Sequence, residues 1–211
     1  MLIDDRVKKL AEKAANAHLF EVMGNKGRYL IPDNFSTVQY MNARGHIDLL
    51  KLKEVLLRDL VSIDRNAAYL NVGVAAGHLE YVNKLMKSPI HISSVEWDDQ
   101  YECCEGLRRD FGVTVHYRCN NVLEDDFEIR GIKTYFDYAI LERFFPVYRS
   151  DTHERTEMVL KKFKPYAKRA LVVDSRGNWS KEQWNWLEKV SEYRRHISGE
   201  WHCFAIKLEN L

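Results

Sequence analysis

The 211-residue sequence has few of the residues that mark disorder, secretion or membrane insertion. Its 10 Gly and 4 Pro argue against a low-complexity or disordered chain. No apolar run approaches the roughly 20 residues that a membrane helix requires. The start, Met1–Arg6, carries two acids and no apolar stretch of the kind found in secretory signals. We therefore predict a cytoplasmic protein with no membrane partner.

Neither sign of charge dominates, and the cysteines form no motif. The sequence has 32 Lys and Arg against 31 Asp and Glu, a net charge of +1, so nucleic acid is not indicated as a partner. The basic pair Arg108-Arg109 is interpreted as part of a solvated face. The 4 Cys contain no C-x-x-C pair, and no metal site is predicted. The oligomeric state does not follow from the composition.

The chain divides into a helical first part and a second part in which strands and helices alternate. Residues 1–64 are interpreted as an N-terminal helical extension or lid, with a short helix over residues 36–42 that ends at Gly45. In residues 65–211, short apolar runs alternate with helical patterns, which predicts a mostly parallel sheet covered on both faces. The predicted strands are Ala68–Val72, Ile90–Glu96, Val113–Tyr117, Phe136–Leu141 and Ala170–Asp174.

The end of the chain departs from this alternation. Ser180 and Gln183 have the spacing of a capping box that opens a helix. Two strand-like runs then flank Ser198-Gly199, which predicts a hairpin whose last strand is antiparallel to its neighbour. The expected α/β fold is therefore a three-layer Rossmann-like sandwich with a seven-stranded, mostly parallel sheet, an antiparallel C-terminal hairpin strand and N-terminal helices.

A loop of small residues follows the first predicted strand. The segment Tyr69–Leu79 passes through Gly73, Ala75 and Gly77 into a helix that His78 opens. Small residues let a ligand approach the backbone, and a helix N-terminus offers free N–H groups. The alternative is a tight strand-to-helix turn that needs glycine for packing alone.

The second predicted strand ends in an acid. Glu96 lies at its carboxyl end, where a carboxylate can accept hydrogen bonds from ribose hydroxyls, and Trp97 beside it can lie against a base. The alternatives are a solvated glutamate at the end of a strand and an ordinary core tryptophan.

The spacing of the small residues distinguishes two nucleotide-binding patterns. The dinucleotide pattern G-x-G-x-x-G is not matched, because its third glycine is absent. The spacing instead matches (D/E)-x-G-x-G-x-G, with Asn71, Gly73, Ala75 and Gly77 at the four positions. From Ala67 to the C-terminus, the sequence resembles the class I S-adenosylmethionine-dependent methyltransferases. The resemblance implies S-adenosylmethionine (SAM) as cofactor and a small molecule or a side group of a macromolecule as methyl acceptor.

The resemblance also implies a set of site residues. Gly73, Ala75 and Gly77 would line the methionine part of SAM, with Asn71 where the family usually has an acid. Glu96 would bind the ribose, Trp97 would pack on the adenine, and Asn121 would contact the adenine amine. The implied cofactor-binding set is Asn71, Gly73, Ala75, Gly77, His78, Glu96, Trp97, Asn121 and Glu142.

Two acids are the candidate catalytic residues. Glu142 follows the fourth predicted strand and Asp174 ends the fifth, so both would project from the same edge of the sheet. The pair resembles the acids of the magnesium-dependent catechol O-methyltransferase group, but Ser175 replaces the expected Asn. The alternatives are structural: Glu142 paired with Arg143, and Asp174 paired with Arg176 or capping a turn.

Three functions remain open from the sequence. The first is a SAM-dependent methyltransferase. The second is a methyltransferase-like binding or assembly module without activity, which Asn71 in place of an acid favours. The third is an NAD-linked dehydrogenase, which the missing third glycine and the terminal hairpin disfavour.

Overall fold

The computed structural model describes residues 2–24, 42–144 and 152–211, so the helix expected over residues 36–42 lies largely outside the described residues. The helices are α1 (Asp5–Gly24), α2 (Ala43–Asp64), α3 (His78–Leu85), α4 (Asp98–Phe111), α5 (His153–Lys161) and α6 (Lys181–Val190). The strands are β1 (Ala68–Val72), β2 (His91–Trp97), β3 (Tyr117–Cys119), β4 (Ile129–Arg130), β5 (Phe136–Glu142), β6 (Ala167–Ser175), β7 (Tyr193–Ser198) and β8 (Trp201–Lys207).

The described strands form one mixed sheet in the order β4-β3-β2-β1-β5-β6-β8-β7. Neighbours from β3 to β6 pair in parallel, whereas β8 is antiparallel to both β6 and β7. The predicted α/β class and the antiparallel C-terminal hairpin are therefore confirmed. The sheet has eight strands rather than seven, because β4 pairs with the end of β3. A strand of two residues is too short to show an alternating pattern in the sequence.

Helices cover both faces of the sheet. On one face, Leu57 of α2 and Phe111 of α4 share a core cluster with Tyr69 and Ile140 from the central strands. On the other face, the cluster includes residues of α5 and α6 together with Leu70. Both sides of the central strands are thus buried, as in other parallel sheets. No helix in the described ranges is long and apolar enough to cross a membrane.

Two helix starts show how local sequence sets the boundaries. The capping box of α6 is present as predicted, with the Ser180 hydroxyl accepting from the Gln183 N–H and the Gln183 side chain accepting from the Ser180 N–H. The expectation that Gly45 ends a helix is wrong. Gly45 lies in the first turn of α2, and its N–H donates to the side chain of Asn42, which caps that helix.

We expect Gly77→Ala to destabilise the fold more than Gly199→Ala. Both glycines have positive φ, +80° and +55°, but a Cβ at Gly77 would lie 3.0 Å from three side-chain atoms of Val113, whereas a Cβ at Gly199 would meet nothing within 4 Å. The expected losses in free energy of unfolding are roughly 2–4 kcal/mol and about 1 kcal/mol, respectively. Urea denaturation measures both values, and equal losses would contradict this account of Gly77.

Candidate functional site

The order of the strands defines where a ligand is expected. From β1 the chain moves outward through β2 and β3, and β5 then lies on the other side of β1. In open α/β sheets, ligands bind outside the carboxyl ends of the strands at such a switch point. Val72 pairs with both Val95 and Leu141, so the carboxyl ends of β1, β2 and β5 lie side by side. We call the carboxyl ends of the two central strands β1 and β5, with the loops that follow them, the β1–β5 edge.

The loop after β1 has a left-handed backbone at its three small residues. The φ angles are +78° at Gly73, +47° at Ala75 and +80° at Gly77. A Cβ at Gly73 would meet nothing within 4 Å, so the backbone there is open to an approaching group. Gly77, in contrast, is packed against Val113. The packing interpretation therefore holds at Gly77, whereas the approach of a ligand at Gly73 stays a prediction.

Side chains hold both backbone groups of Ala75. The Ala75 N–H donates to Glu96 Oε2 at 2.6 Å, and the Ala75 carbonyl accepts from Arg108 Nη1 at 2.9 Å. Arg108 Nη1 also lies 3.9 Å from Glu96 Oε2, and both side chains are 2% exposed. A non-glycine residue in the left-handed region costs free energy, and this clamp of Glu96 and Arg108 opposes that cost.

Glu96 is a buried acid whose two oxygens already accept hydrogen bonds. Its Oε1 accepts from the Trp97 N–H at 2.8 Å, in addition to the bond between Oε2 and Ala75. Burial raises the pKa of Glu96 to about 7, although the two N–H donors and Arg108 favour the carboxylate. The expected ribose-binding acid is thus at the carboxyl end of β2, but it also holds the loop.

Sequence reasoning misses Arg108. The expectation of a solvated face is wrong for this residue, because Arg108 is buried while Arg109 is exposed. The Arg108 guanidinium donates to the Tyr101 carbonyl as well as to Ala75. A signal is present in the sequence, because Arg108 follows the buried Cys104 by four positions and so lies on the apolar face of α4.

A second group of polar side chains lies at the β1–β5 edge. We call Asn71, Glu80, Lys53 and Glu142 the charged cluster. Asn71 Nδ2 donates to Glu80 Oε1 at 2.8 Å, and the Lys53 ammonium is ion-paired with the Glu142 carboxylate. Burial raises the pKa of Glu80, and the charge of Lys53 acts in the opposite direction. Asn71 therefore has a carboxylate beside it, supplied by the first turn of α3.

Sequence reasoning also misses Lys53 and Glu80. Lys53 lies on α2, in the part of the chain interpreted as an extension or lid, and its side chain is 8% exposed. It lies between the apolar positions Leu50 and Leu57 on the buried face of that helix. A lysine among core positions is the signal in the sequence, because a buried lysine generally needs a partner.

His78 is buried at the start of α3 and contacts a second histidine. Its Nε2 lies 2.8 Å from Nδ1 of His46 on α2, and the two rings stack with centroids 5.1 Å apart. Both rings also contact Phe111. The assignment of His78 to the cofactor stays a prediction, and the contact ties α2 to the start of α3.

The remaining predicted cofactor residues are Trp97, which ends β2, and Asn121, which follows β3. Trp97 is half-buried and packs against the core cluster that contains Leu70. Asn121 follows β3, and its side-chain oxygen accepts from the Leu123 N–H at 3.0 Å, which forms a local turn. Their roles toward an adenine stay predictions.

Asp174 is the second buried acid at the carboxyl ends of the strands. Its Oδ1 accepts from the Ser175 N–H at 2.7 Å and from Asn178 Nδ2 at 2.6 Å. Its Oδ2 is buried and has no hydrogen-bond partner among the described residues. Burial raises the pKa of Asp174 to about 6, and the nearby Glu142 charge adds to the shift while Arg143 opposes it.

Among the described residues, Glu142 and Asp174 do not form the ion pairs expected as structural alternatives, but the hydrogen bonds of Asp174 around the turn Arg176–Asn178 agree with its other alternative, the capping of a turn. Glu142 is paired with Lys53 rather than with Arg143, and Asp174 accepts from Asn178 and Ser175. Arg143 adopts a φ of +48° and donates its N–H to the Val173 carbonyl. Across the described ranges, no three His, Cys, Asp or Glu side chains are grouped so that they could hold a metal ion.

Comparison with known proteins gives matches only at the level of structure. No family model matches the chain, and no curated protein sequence matches it. The mitomycin 7-O-methyltransferase MmcR is 12% identical with a TM-score of 0.55, over 96% of this chain and 67% of that one. A putative O-methyltransferase from Nostoc punctiforme PCC 73102 is 14% identical with a TM-score of 0.56, over 94% and 69%.

A third solved structure matches a shorter part of the chain. The methyltransferase domain of bacterial CtHen1 is 12% identical with a TM-score of 0.51, over 75% of this chain and 99% of that domain. The chain has the class I methyltransferase fold. Within this methyltransferase fold, the glycine loop, Glu96, Glu142 and Asp174 all lie at the carboxyl ends of the parallel strands.

We expect Asp174→Asn to change how stability depends on pH. The pKa of Asp174 is about 6 in the folded protein, against an ordinary value of 3.8. Between these values the folded state keeps a proton that the unfolded state has lost, so this carboxyl lowers the free energy of unfolding as the pH rises. Asn carries no such proton and retains an oxygen for the two donors.

The stability of Asp174→Asn relative to wild type should therefore rise by roughly 2–3 kcal/mol between about pH 4 and about pH 7. Urea denaturation of both proteins at the two pH values measures this difference. A difference that does not change with pH would show that Asp174 has an ordinary pKa in the folded protein.

Proposed function

We propose that the chain is a SAM-dependent methyltransferase that transfers a methyl group from SAM to a small molecule or to a side group of a macromolecule. The main support is the placement of an open glycine loop and a buried acid at the switch point of a class I methyltransferase fold. Gly73 offers open backbone, and Glu96 lies against the same loop through Ala75. This combination suits a nucleoside with a polar tail better than a purely apolar ligand.

The bonds that Glu96 already makes leave capacity for a ribose. A carboxylate has about four lone-pair positions, and two of them accept the N–H groups of Ala75 and Trp97. The remaining positions can accept from two hydroxyl groups. Because the clamp of Glu96 and Arg108 fixes the carboxylate, little ordering would be needed when a ligand binds.

Methyl transfer requires alignment and, for a protonated acceptor, a base. SAM supplies an activated methyl group on a sulfonium. Asp174 is the acid best suited to remove the acceptor's proton, because its Oδ2 has no hydrogen-bond partner among the described residues and its pKa of about 6 lies near neutrality. Glu142 is paired with Lys53, so we do not assign it the role of the base. Its charge contributes instead to the electrostatic potential of the site.

A second candidate function is a binding module without catalysis. The observation that favours it is that Asn71, Glu96 and Glu142 each have a partner inside the protein, namely Glu80, Ala75 and Lys53. Such internal partners stabilise the folded protein without a ligand. In this case SAM would bind without turnover, and the biological partner would be another macromolecule.

We expect SAM and its product S-adenosylhomocysteine to bind at micromolar concentrations and Glu96→Ala to weaken both by at least about tenfold, which corresponds to roughly 1.4 kcal/mol. The reason is the loss of the ribose acceptor together with the support of the loop. Titration calorimetry measures the affinities. Glu128→Ala is the matched control, because Glu128 is exposed and lies away from the loop, in the segment before β4.

The absence of binding to a folded, monodisperse wild-type sample would overturn the proposed cofactor. Equal affinities for wild type and Glu96→Ala would leave SAM as the ligand but remove Glu96 from its site. Tight binding of NAD(H) by a protein that does not bind SAM would favour a dehydrogenase instead.

We expect Asp174→Asn to bind SAM like wild type and to transfer methyl groups on the order of 100-fold more slowly, the contribution typical of a general base. Transfer of a labelled methyl group from SAM into the components of a cell extract measures the rate for an unidentified acceptor. Wild-type protein that binds SAM but labels nothing would support the binding module. Undiminished labelling by Asp174→Asn would exclude Asp174 as the base.

A further inference from the structure

Lys53 brings a buried positive charge to the β1–β5 edge from a helix outside the nucleotide-binding loops. Its residue exposure is 6%, and its ammonium is ion-paired with Glu142 at the carboxyl end of β5. Burying a lysine is costly unless it is paired. Both neighbouring acids, Glu142 and Glu80, are largely buried as well, so little water separates the three charges.

The charged cluster has an oxygen with capacity for another partner. Glu80 Oε1 accepts from Asn71, whereas the buried Glu80 Oε2 has no hydrogen-bond partner among the described residues. Lys53 and Glu142 both act electrostatically on Glu80. The charge of one ammonium group therefore acts on two carboxyl groups, by an ion pair with Glu142 and through space on Glu80.

The cluster lies at the carboxyl ends of β1 and β5, between which the strand order reverses. Asn71 is in β1, two residues before Gly73, and its Cα is the partner of Ile140 in β5. Glu142 ends β5, and Glu80 is in the first turn of the helix that follows the loop. A ligand held by the loop would therefore place its tail beside Lys53.

We propose that Lys53 is a specificity-determining residue that sets how strongly this site distinguishes a cationic sulfonium from a neutral thioether. The inference rests on the proposed function, because it concerns the two forms of that cofactor. Lys53 neutralises carboxylates that would otherwise attract the positive sulfur of SAM, and it repels that sulfur directly. Neither effect changes the affinity for S-adenosylhomocysteine, because its sulfur is neutral.

The test is the ratio of the dissociation constants of S-adenosylhomocysteine and SAM, measured by titration calorimetry. Lys53→Met removes the charge and should raise this ratio in favour of SAM by about tenfold, the order expected for unit charges within about 10 Å at an effective dielectric constant near 20. Lys53→Arg keeps the charge and should leave the ratio near that of wild type. Lys51→Met is the matched control, because Lys51 lies on the exposed face of the same helix.

Substitution of Glu142, the acid paired with Lys53, should change the ratio of the two dissociation constants in the opposite direction. Glu142→Gln leaves the charge of Lys53 without its nearest carboxylate and should shift the ratio towards S-adenosylhomocysteine. The double variant with Lys53→Met and Glu142→Gln removes both charges and should return the ratio towards wild type. These variants also cover the case in which Lys53→Met does not fold, since an unpaired buried Glu142 costs stability.

The outcomes separate this inference from the proposed function. Wild-type protein that binds neither compound overturns the proposed function and, with it, the role of Lys53. Wild-type binding of both compounds with a ratio unchanged in Lys53→Met and Glu142→Gln overturns only the role of Lys53. Equal weakening of both compounds in Lys53→Met also overturns it, because Lys53 would then bind a group that the two compounds share.

Discussion

The hydrogen bond from the Ala75 N–H to Glu96 is the interaction on which the candidate site depends. It joins the loop after β1 to the end of β2, and Arg108 completes the clamp through the Ala75 carbonyl. Because Ala75 has a φ of +47°, the loop would relax to another conformation without these partners. The shape of the loop, the position of the acid and the open backbone at Gly73 are therefore set together.

The cost of this arrangement is a set of buried acids close to the carboxyl ends of the strands. Glu80, Glu96 and Asp174 are each less than 10% exposed, and burial raises the pKa of all three. Each accepts at least one hydrogen bond from a specific donor in the protein. Perturbed acids gathered at one edge of a sheet are typical of functional sites, whereas the core clusters on the two faces carry the stability of the fold.

Local patterns in the sequence predict the central strands, the loop and the capping box at Ser180, because each depends on residues close together in the chain, whereas β3 begins four residues later than predicted and β4 is not predicted. The ion pair of Lys53 with Glu142 could not be predicted in this way, since its members lie far apart along the sequence and meet only when α2 packs on the sheet. Arg108 and Lys53 carry a weak signal as charges on apolar helix faces, but their partners follow from the tertiary structure.

The hydrogen bonds that Glu96 and Asp174 accept are relevant to both candidate functions, the methyltransferase and the binding module. If Glu96 served only to hold the loop, one carboxylate oxygen would suffice, yet both oxygens accept N–H groups and two lone-pair positions remain. Asp174 differs, because both of its donors are on Oδ1 and the buried Oδ2 has no hydrogen-bond partner among the described residues. Acids that are held by hydrogen bonds and retain capacity to accept a proton or a hydrogen bond are the groups that the proposed methyl transfer requires, whereas a binding module requires only the bonds within the protein.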